Sequence, residues 1–215
     1  MTDSAHGSRH NSQGAATRRR IVRVAEKLFA ERGVDAISIR AINSACGLGA
    51  AATHYHFGTK DQLLEAVIHA HGNALGEVMM ERVNVLAART DPPSTREVVE
   101  TLALPYFELM AREPVRGVRY MKVIAQLVTA NNALLTELSR PIYAALLAQV
   151  MRTFAGVDPD LIELRWNIAS AALLGLAASG AQRSLESPEA RRVFADELIS
   201  FTIGGLDTLY HHATP

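Results

Sequence analysis

The residues able to do chemistry in this chain are few, and their spacing is unhelpful for catalysis. Eight histidines and one cysteine stand in 215 residues. Six of the eight fall in the closer pairs His54 and His56, His69 and His71, and His211 and His212. Separations of one or two residues do not place two imidazoles on one helical face, as a separation of four does, so they build neither a metal pair nor a nucleophile with its base. Cys46 stands alone, with no Cys/His zinc spacing and no partner for an internal disulfide, which fits a reducing compartment. No catalytic, metal or cofactor site is expected. Around residue 50 the composition suggests other chemistry. Gly47-Leu48-Gly49 separates a short apolar-patterned segment from Ala50-Ala51-Ala52-Thr53-His54-Tyr55. Residues 1–60 hold nine Lys/Arg against four Asp/Glu, and the remainder 13 against 18, so a net charge of zero hides a basic head and an acidic body. A slim helix on a cationic head, with small residues inward and hydrogen-bonding side chains outward, suits the major groove of duplex DNA.

The elements that must position these groups are helices. Residues 1–15 are polar without periodicity and read as a flexible arm. From Thr17 onward Ile21, Val24, Ala25, Leu28 and Phe29 recur at three- and four-residue spacing, and Gly33 ends that helix. Ser38 stands as N-cap before Ile39, Ile42 and Ala45, and Gly47 closes the second helix. Gly49 or Ala50 opens a third, ending near Phe57-Gly58, with Phe57 read as core. Two short helices around a glycine turn are the helix-turn-helix signature. A capping box, Thr59-x-x-Gln62, starts a fourth helix that runs to about Ala88. Asp91-Pro92-Pro93 is a loop, and later helices begin at Ser94, Pro114, Asn132, Asp158-Pro159 and Ser187-Pro188. Pro105 and Pro141 predict a kink or a break. No alternating strand pattern of useful length and no repeat is present. The fold class is therefore all-α: a three-helix helix-turn-helix domain over residues 16–60, joined by a long helix to a helical bundle over residues 61–215. The first twenty residues lack the apolar core of a signal peptide. The longest apolar run, Ile168 to Ala181, is broken by Ser170, Ser179 and several alanines, short of the ~18–20 strongly apolar residues that span a bilayer. A soluble, cytoplasmic protein without a membrane partner is expected.

The segments Arg20-Ile21, Ala25, Leu28-Phe29 and Gly33, then Ser38-Ile39-Arg40 and Ile42, then Cys46-Gly47-Leu48, then Tyr55-His56-Phe57-Gly58-Thr59-Lys60 and Leu63-Leu64 carry a likeness. Over about residues 15–70 the chain resembles the N-terminal domain of the tetracycline-repressor (TetR) family of bacterial regulators. The resemblance implies that Ser38 turns its hydroxyl and backbone N–H to a phosphate and that Arg40 reaches phosphate or base. It lays Ala51, Ala52, Thr53 and His54 along the groove, after Gly49 and Ala50 at the turn, and sets Tyr55 and His56 on the DNA backbone. Lys60 meets a phosphate at the start of helix four, where a helix N-terminus and a cation already form an anion site. Gly49 departs from the capping side chain usual in the family, a loss of a few tenths of a kcal/mol. The recognition helix also lacks Arg, Asn and Gln, the bidentate base readers. Direct readout then rests on Thr53, His54 and Arg40, with the remainder from phosphate geometry and DNA shape. Arg18, in the Arg18-Arg19-Arg20 run, lies on phosphate or in the minor groove.

The acidic body supplies a dimer surface and a cavity. Leu161–Gln182 is apolar nearly all round, with Ala171, Gly175 and Ser179 on one line, and a helix of that kind must be buried on every side. The last helix adds Phe194, Leu198 and Phe201. These serve either a monomer core or, as the resemblance implies, a four-helix dimer interface. Tyr106, Phe107, Met110, Tyr120, Met121, Ile124, Met151, Trp166 and Asn167 suit a largely apolar ligand pocket, although such residues at helical spacing also serve as plain core. The expected partners are double-stranded, palindromic operator DNA, a small hydrophobic effector and a second copy of the chain. The expected function is a sequence-specific repressor released by its effector. The alternative is a helix-turn-helix dimer that activates transcription or answers to a protein partner.

Overall fold

The computed structural model describes residues 4–49, 51–180 and 187–212. Among these the chain is helix and turn, without a strand. The helices are α1 (Ser4–Arg32), α2 (Ile39–Ala45), α3 (Ala52–Phe57), α4 (Lys60–Ala87), α5 (Thr95–Arg112), α6 (Pro114–Thr129), α7 (Ala133–Thr153), α8 (Pro159–Gly180) and α9 (Pro188–Asp207), followed by a 3₁₀ turn over Thr208–His212. Two compact units divide the chain, Met1–His71 and Gly72–Pro215. The division lies inside α4, so the first unit extends past residue 60 to take in the opening turns of that helix.

In the first unit α1 buries Ile21, Val22, Ala25 and Phe29, a stripe that continues through Ile42 of α2, Phe57 of α3 and Leu63, Leu64 and Val67 of α4. α1 reaches back to Ser4, which corrects the expectation of an arm over residues 1–15; residues 1–3 lie outside the described residues. No proline interrupts this stretch, and extending a helix that is already packed adds one hydrogen bond per residue without a new nucleation step. α2 begins where Ser38 Oγ accepts the Ala41 N–H at 3.2 Å. It ends in a Schellman motif: Leu48 N–H donates to Asn43 C=O and Gly47 N–H to Ser44 C=O, both at 2.9 Å. Gly47 sits at φ 59°, a left-handed conformation that favours glycine. At α4, Gln62 N–H donates to Thr59 Oγ1 at 3.1 Å and Thr59 N–H returns to Gln62 Oε1 at 3.1 Å, so the expected capping box forms. Glu26 of α1 and His71 of α4 meet at 3.8 Å inside this unit.

In the second unit α8 packs on α6 and α9, α5 packs on α6 and α9, and α7 leans on α5 and α8. Each start is a local device. Ser94 caps α5 in a box with Glu97, whose carboxyl is held down at about 2 by the Ser94 backbone N–H and by the Arg89 guanidinium, so the box stays ionised at neutral pH. Pro114 opens α6, Asn132 caps α7 through the Leu135 N–H at 3.2 Å, and Ser187 caps α9 through the Ala190 N–H at 3.0 Å. Pro105 and Pro141 do not break their helices: α5 and α7 each continue through the proline as one element. Packing of α5 and α7 on their neighbours outweighs the ~3 kcal/mol that an interior proline costs. α8 is long and apolar enough, by length and composition, to cross a membrane, which corrects the reading of its apolar run. Here it is a packed helix, with Ile162, Trp166, Leu173, Leu174, Ala177 and Ala178 buried. Arg152 of α7 closes the carboxyl end of α4, donating to Leu86 C=O at 3.0 Å, Arg89 C=O at 2.6 Å and Asp91 C=O at 3.1 Å.

A close main-chain approach lies at Gly117 of α6, where a Cβ would stand 2.9 Å from Leu109 O and from Met110 Cα of α5. Both are main-chain atoms and cannot swing aside. Gly117→Ala is therefore expected to destabilise the second unit by about 1–3 kcal/mol. Gly76→Ala, in open space on α4, is expected to be neutral or to stabilise by up to ~1 kcal/mol. Thermal unfolding of the two variants checks the contrast.

Candidate nucleic-acid interface and ligand cavity

α3 is six residues long, and its N-cap Ala51 makes no side-chain cap hydrogen bond. Nothing local holds so short a helix. It is held from α2 instead. Asn43 Oδ1 accepts the Thr53 N–H at 3.1 Å and the Thr53 hydroxyl at 2.5 Å, and both residues are buried. Phe57 is buried one turn later, as read from the sequence, and Gly58 ends the helix at φ 70°.

This geometry corrects one sequence expectation. Thr53 has 0% exposure and cannot touch a base; its side chain is a brace between the two helices. Asn43 was missed, although a polar residue beside Ile42 on the inward side of a seven-residue helix is a signal for a buried tie. Of the other α3 residues, Ala51 and His54 are exposed, Ala52 and His56 are half-buried, and Tyr55 is 83% exposed. Gly49 is exposed and its carbonyl accepts the Ala52 N–H at 3.0 Å, while Ala50 lies outside the described residues. His54 Nδ1 lies 2.7 Å from Gly58 O. A carbonyl only accepts, so Nδ1 carries the proton and Nε2 of the neutral ring is left as an acceptor.

Several cations and hydroxyls gather around this helix. The Arg18 guanidinium lies 4.7 Å from the centre of the Phe57 ring, and Arg18, His54, Tyr55 and His56 line one open hollow. Tyr55 and His56 meet edge to face at 5.1 Å. Ser38 and Arg40 are exposed at the start of α2. Lys60 donates to Asp35 C=O at 3.3 Å, which ties the α1–α2 turn to α4 and leaves its other N–H groups open.

The second unit encloses a cavity of about 550 Å³. It takes in Tyr106, Ile124, Trp166 and Asn167 from the expected set. The other five are not on its wall. Met110, Tyr120 and Met121 are buried as core, Phe107 packs edge to face on Phe194 at 6.5 Å, and Met151 lies one helix turn beyond the lining residues of α7. α7 supplies residues that sequence reading did not assign, among them Leu135, Arg140, Ile142, Tyr143 and Leu146. Their i, i+7 and i+11 recurrence was the available signal.

Ala171 lines this cavity too, Gly175 is half-buried, Ser179 is exposed, and Leu198 is buried on the floor of a groove between α8 and α9. The exposed apolar stripe of α8 is instead Leu164, Ile168, Ala172 and Leu176, four residues apart, with Phe201 of α9 beside it at 72% exposure.

A family model described as bacterial regulatory proteins, tetR family, matches residues 21–67, and a model of Tetracyclin repressor-like C-terminal domains matches residues 100–205. The chain belongs to the TetR family. It is thus a regulator by family and not an enzyme. The HTH-type transcriptional repressor BepR of Brucella suis is 29% identical over 105 residues, 49% of this chain and 48% of that protein, so the match spans about half the length of that relative. Among solved structures, a transcriptional regulator from Rhodococcus sp. superposes with a TM-score of 0.52 at 21% identity, over 87% of this chain and 96% of the other. The TetR-family regulator PfmR from Thermus thermophilus superposes with a TM-score of 0.51 at 22% identity, over 87% and 98%. These structures share the TetR fold with this chain.

For this TetR-family chain the brace sets a stability prediction. Thr53→Val keeps the shape but leaves Asn43 Oδ1 without its hydroxyl donor, an expected loss of about 1–3 kcal/mol. Tyr55→Ala, at a solvated position, is expected to stay within about 0.5 kcal/mol. Chemical denaturation followed by circular dichroism separates the two.

Proposed function

We propose that this chain is a homodimeric, operator-binding repressor that a small, largely apolar ligand releases from DNA. One observation carries the reading. α3 is anchored inward by Thr53 and Phe57, while Ala51, His54 and Tyr55 lie in solvent. That leaves a slim outer face that the major groove admits. His54 presents Nε2 as an acceptor, which matches the exocyclic amine of cytosine or adenine. Arg18, Ser38, Arg40, Tyr55, His56 and Lys60 surround it with donors for phosphate, the contacts that set register without reading sequence. The DNA-binding module then comprises residues 16–60 together with the first turns of α4.

A single module of this size covers one half-site, and two-fold dimers read palindromes of matching symmetry. The α8 stripe and Phe201 form an apolar face open to solvent in the single chain, and a second copy covers it as a four-helix contact. The cavity is of the size and character of small-molecule sites, apolar with a few polar groups. α7 lines that cavity with its first half and grips the end of α4 through Arg152 with its second. Since α4 runs unbroken from Lys60 to Ala87, a ligand that prefers one setting of α7 biases the helix that carries Lys60. Coupling of this kind amounts to about 1–3 kcal/mol, and equals the ligand's differential affinity for the two settings. Similarity to a named transcriptional repressor supports the sign of regulation.

The deciding experiment selects bound sequences from random duplex DNA and repeats the binding with a metabolite library. A palindromic motif whose affinity falls with one compound is the expected result; a chain that binds all duplexes alike overturns the reading. Two variants sharpen it. Arg40→Ala is expected to weaken binding to every sequence and to lower the slope of log affinity against log salt by about 1. Ile168→Glu is expected to give monomers in analytical ultracentrifugation and to abolish tight binding to the palindrome, while single half-site contacts persist.

A further inference from the structure

Trp166 and Tyr106 both line the cavity, and each carries a hydrogen-bond donor without a partner among the described residues. The Trp166 indole is 1% exposed and its Nε1–H has no acceptor there. Tyr106 lines the same cavity, and its hydroxyl makes no hydrogen bond among the described residues; burial alone pushes its phenol up to about 12, so it stays a neutral O–H donor. The other hydroxyls on the wall are already engaged. Thr136 donates to Asn132 C=O at 3.1 Å, Ser139 to Thr136 C=O at 3.4 Å, Ser170 to Trp166 C=O at 2.7 Å, and Tyr143 to Asn167 Oδ1 at 2.8 Å. A buried donor without a partner bears its full desolvation cost in the empty cavity, and an incoming acceptor removes that cost.

Charge narrows the class further. Among the described residues Arg140 is the one charged residue on the wall; its side chain is 65% exposed and paired with Glu137. An anion brought down to Trp166 and Tyr106 would meet neutral donors and aliphatic groups but no cation, an environment that strongly disfavours it. A hydrocarbon fills the volume and leaves both donors orphaned. We infer that the cavity takes a neutral, largely apolar molecule bearing a carbonyl-type acceptor, which receives hydrogen bonds from the Trp166 indole and the Tyr106 hydroxyl. The inference rests on the ligand-release reading for its biological use, but concerns only what the cavity selects.

Three matched probes test it on the full-length protein: benzophenone, diphenylmethane with a methylene in place of the carbonyl, and 4-benzoylbenzoate with an added carboxylate. Calorimetry is expected to rank benzophenone tightest, about tenfold over diphenylmethane for one or two net hydrogen bonds. Tyr106→Phe is expected to shrink that gap several-fold while diphenylmethane binds as before, and Trp166→Phe to do the same. Because the chain has one tryptophan, its single indole N–H proton resonance reports the site directly. Benzophenone is expected to move that resonance downfield and diphenylmethane to leave it there. Equal affinity for ketone and hydrocarbon, a gap unchanged in Tyr106→Phe, tightest binding by the carboxylate, or no binding by any probe overturns the inference. Ketone-selective binding with no loss of operator affinity upholds it and sinks ligand release; DNA release by a compound lacking an acceptor does the reverse.

Discussion

A six-residue helix with no side-chain cap does not persist in water, because nucleation fixes several residues for a single hydrogen bond. α3 is such a helix, and everything that the N-terminal unit presents to solvent depends on what holds it. The holder is the buried pair Asn43–Thr53, helped by the burial of Phe57. One amide oxygen receives both donors of Thr53, so the brace fixes the position and the rotation of α3 together. Rotation is the functional quantity: it decides that His54 and Tyr55 point out while Thr53 points in. The absence of a cap at Ala51 is then no defect, since a capping side chain would stabilise the first turn without specifying which face looks outward.

The second unit obeys a different constraint, that of a helix with too many apolar faces. α8 turns Trp166, Leu173 and Leu174 into the bundle, yet keeps Leu164, Ile168 and Leu176 in solvent. Its neighbours α6 and α9 cover only part of its circumference. A contiguous exposed apolar surface of this kind is suited to an interaction site. The cavity arises from the same crowding. The Tyr143–Asn167 bond ties α7 to α8 at one side of the cavity, whose wall Trp166 also lines.

How much of this was legible follows from the range of the interactions involved. The helix boundaries at Ser38, Thr59, Ser94, Pro114, Asn132, Pro159 and Pro188 are set within one turn of chain by caps, boxes and the fixed φ of proline, so they can be read from short strings of residues. The start of α3 was misplaced by two or three residues because no cap marks it. The facing of Thr53 was missed for a deeper reason: threonine suits a base contact and a buried brace equally well, and only its distance from Asn43 decides. The residues expected at a ligand pocket divide between cavity wall and core. Tyr106, Ile124, Trp166 and Asn167 line the cavity, whereas Met110, Tyr120 and Met121 fill the core, a distinction set by helix rotation that composition does not encode. Phe201, expected at a dimer surface, is 72% exposed, and the stripe on α8 lies one position away from the small residues Ala171 and Gly175.

That one-position offset has a mechanical meaning. Trp166 and Ala171 face the cavity while Ile168 and Ala172 face outward on the same rigid helix. A ligand that displaces the Trp166 ring therefore pushes against an element that, in the proposed dimer, is clamped by its counterpart on the far side. With α8 held there, the compliant wall is α7, which has an exposed Pro141 in its middle, bonds Asn167 through Tyr143, and ends in the Arg152 grip on α4. In the proposed scheme dimer contact and signal output fall on opposite walls of the cavity, and a second copy that holds α8 would leave α7 as the wall free to shift.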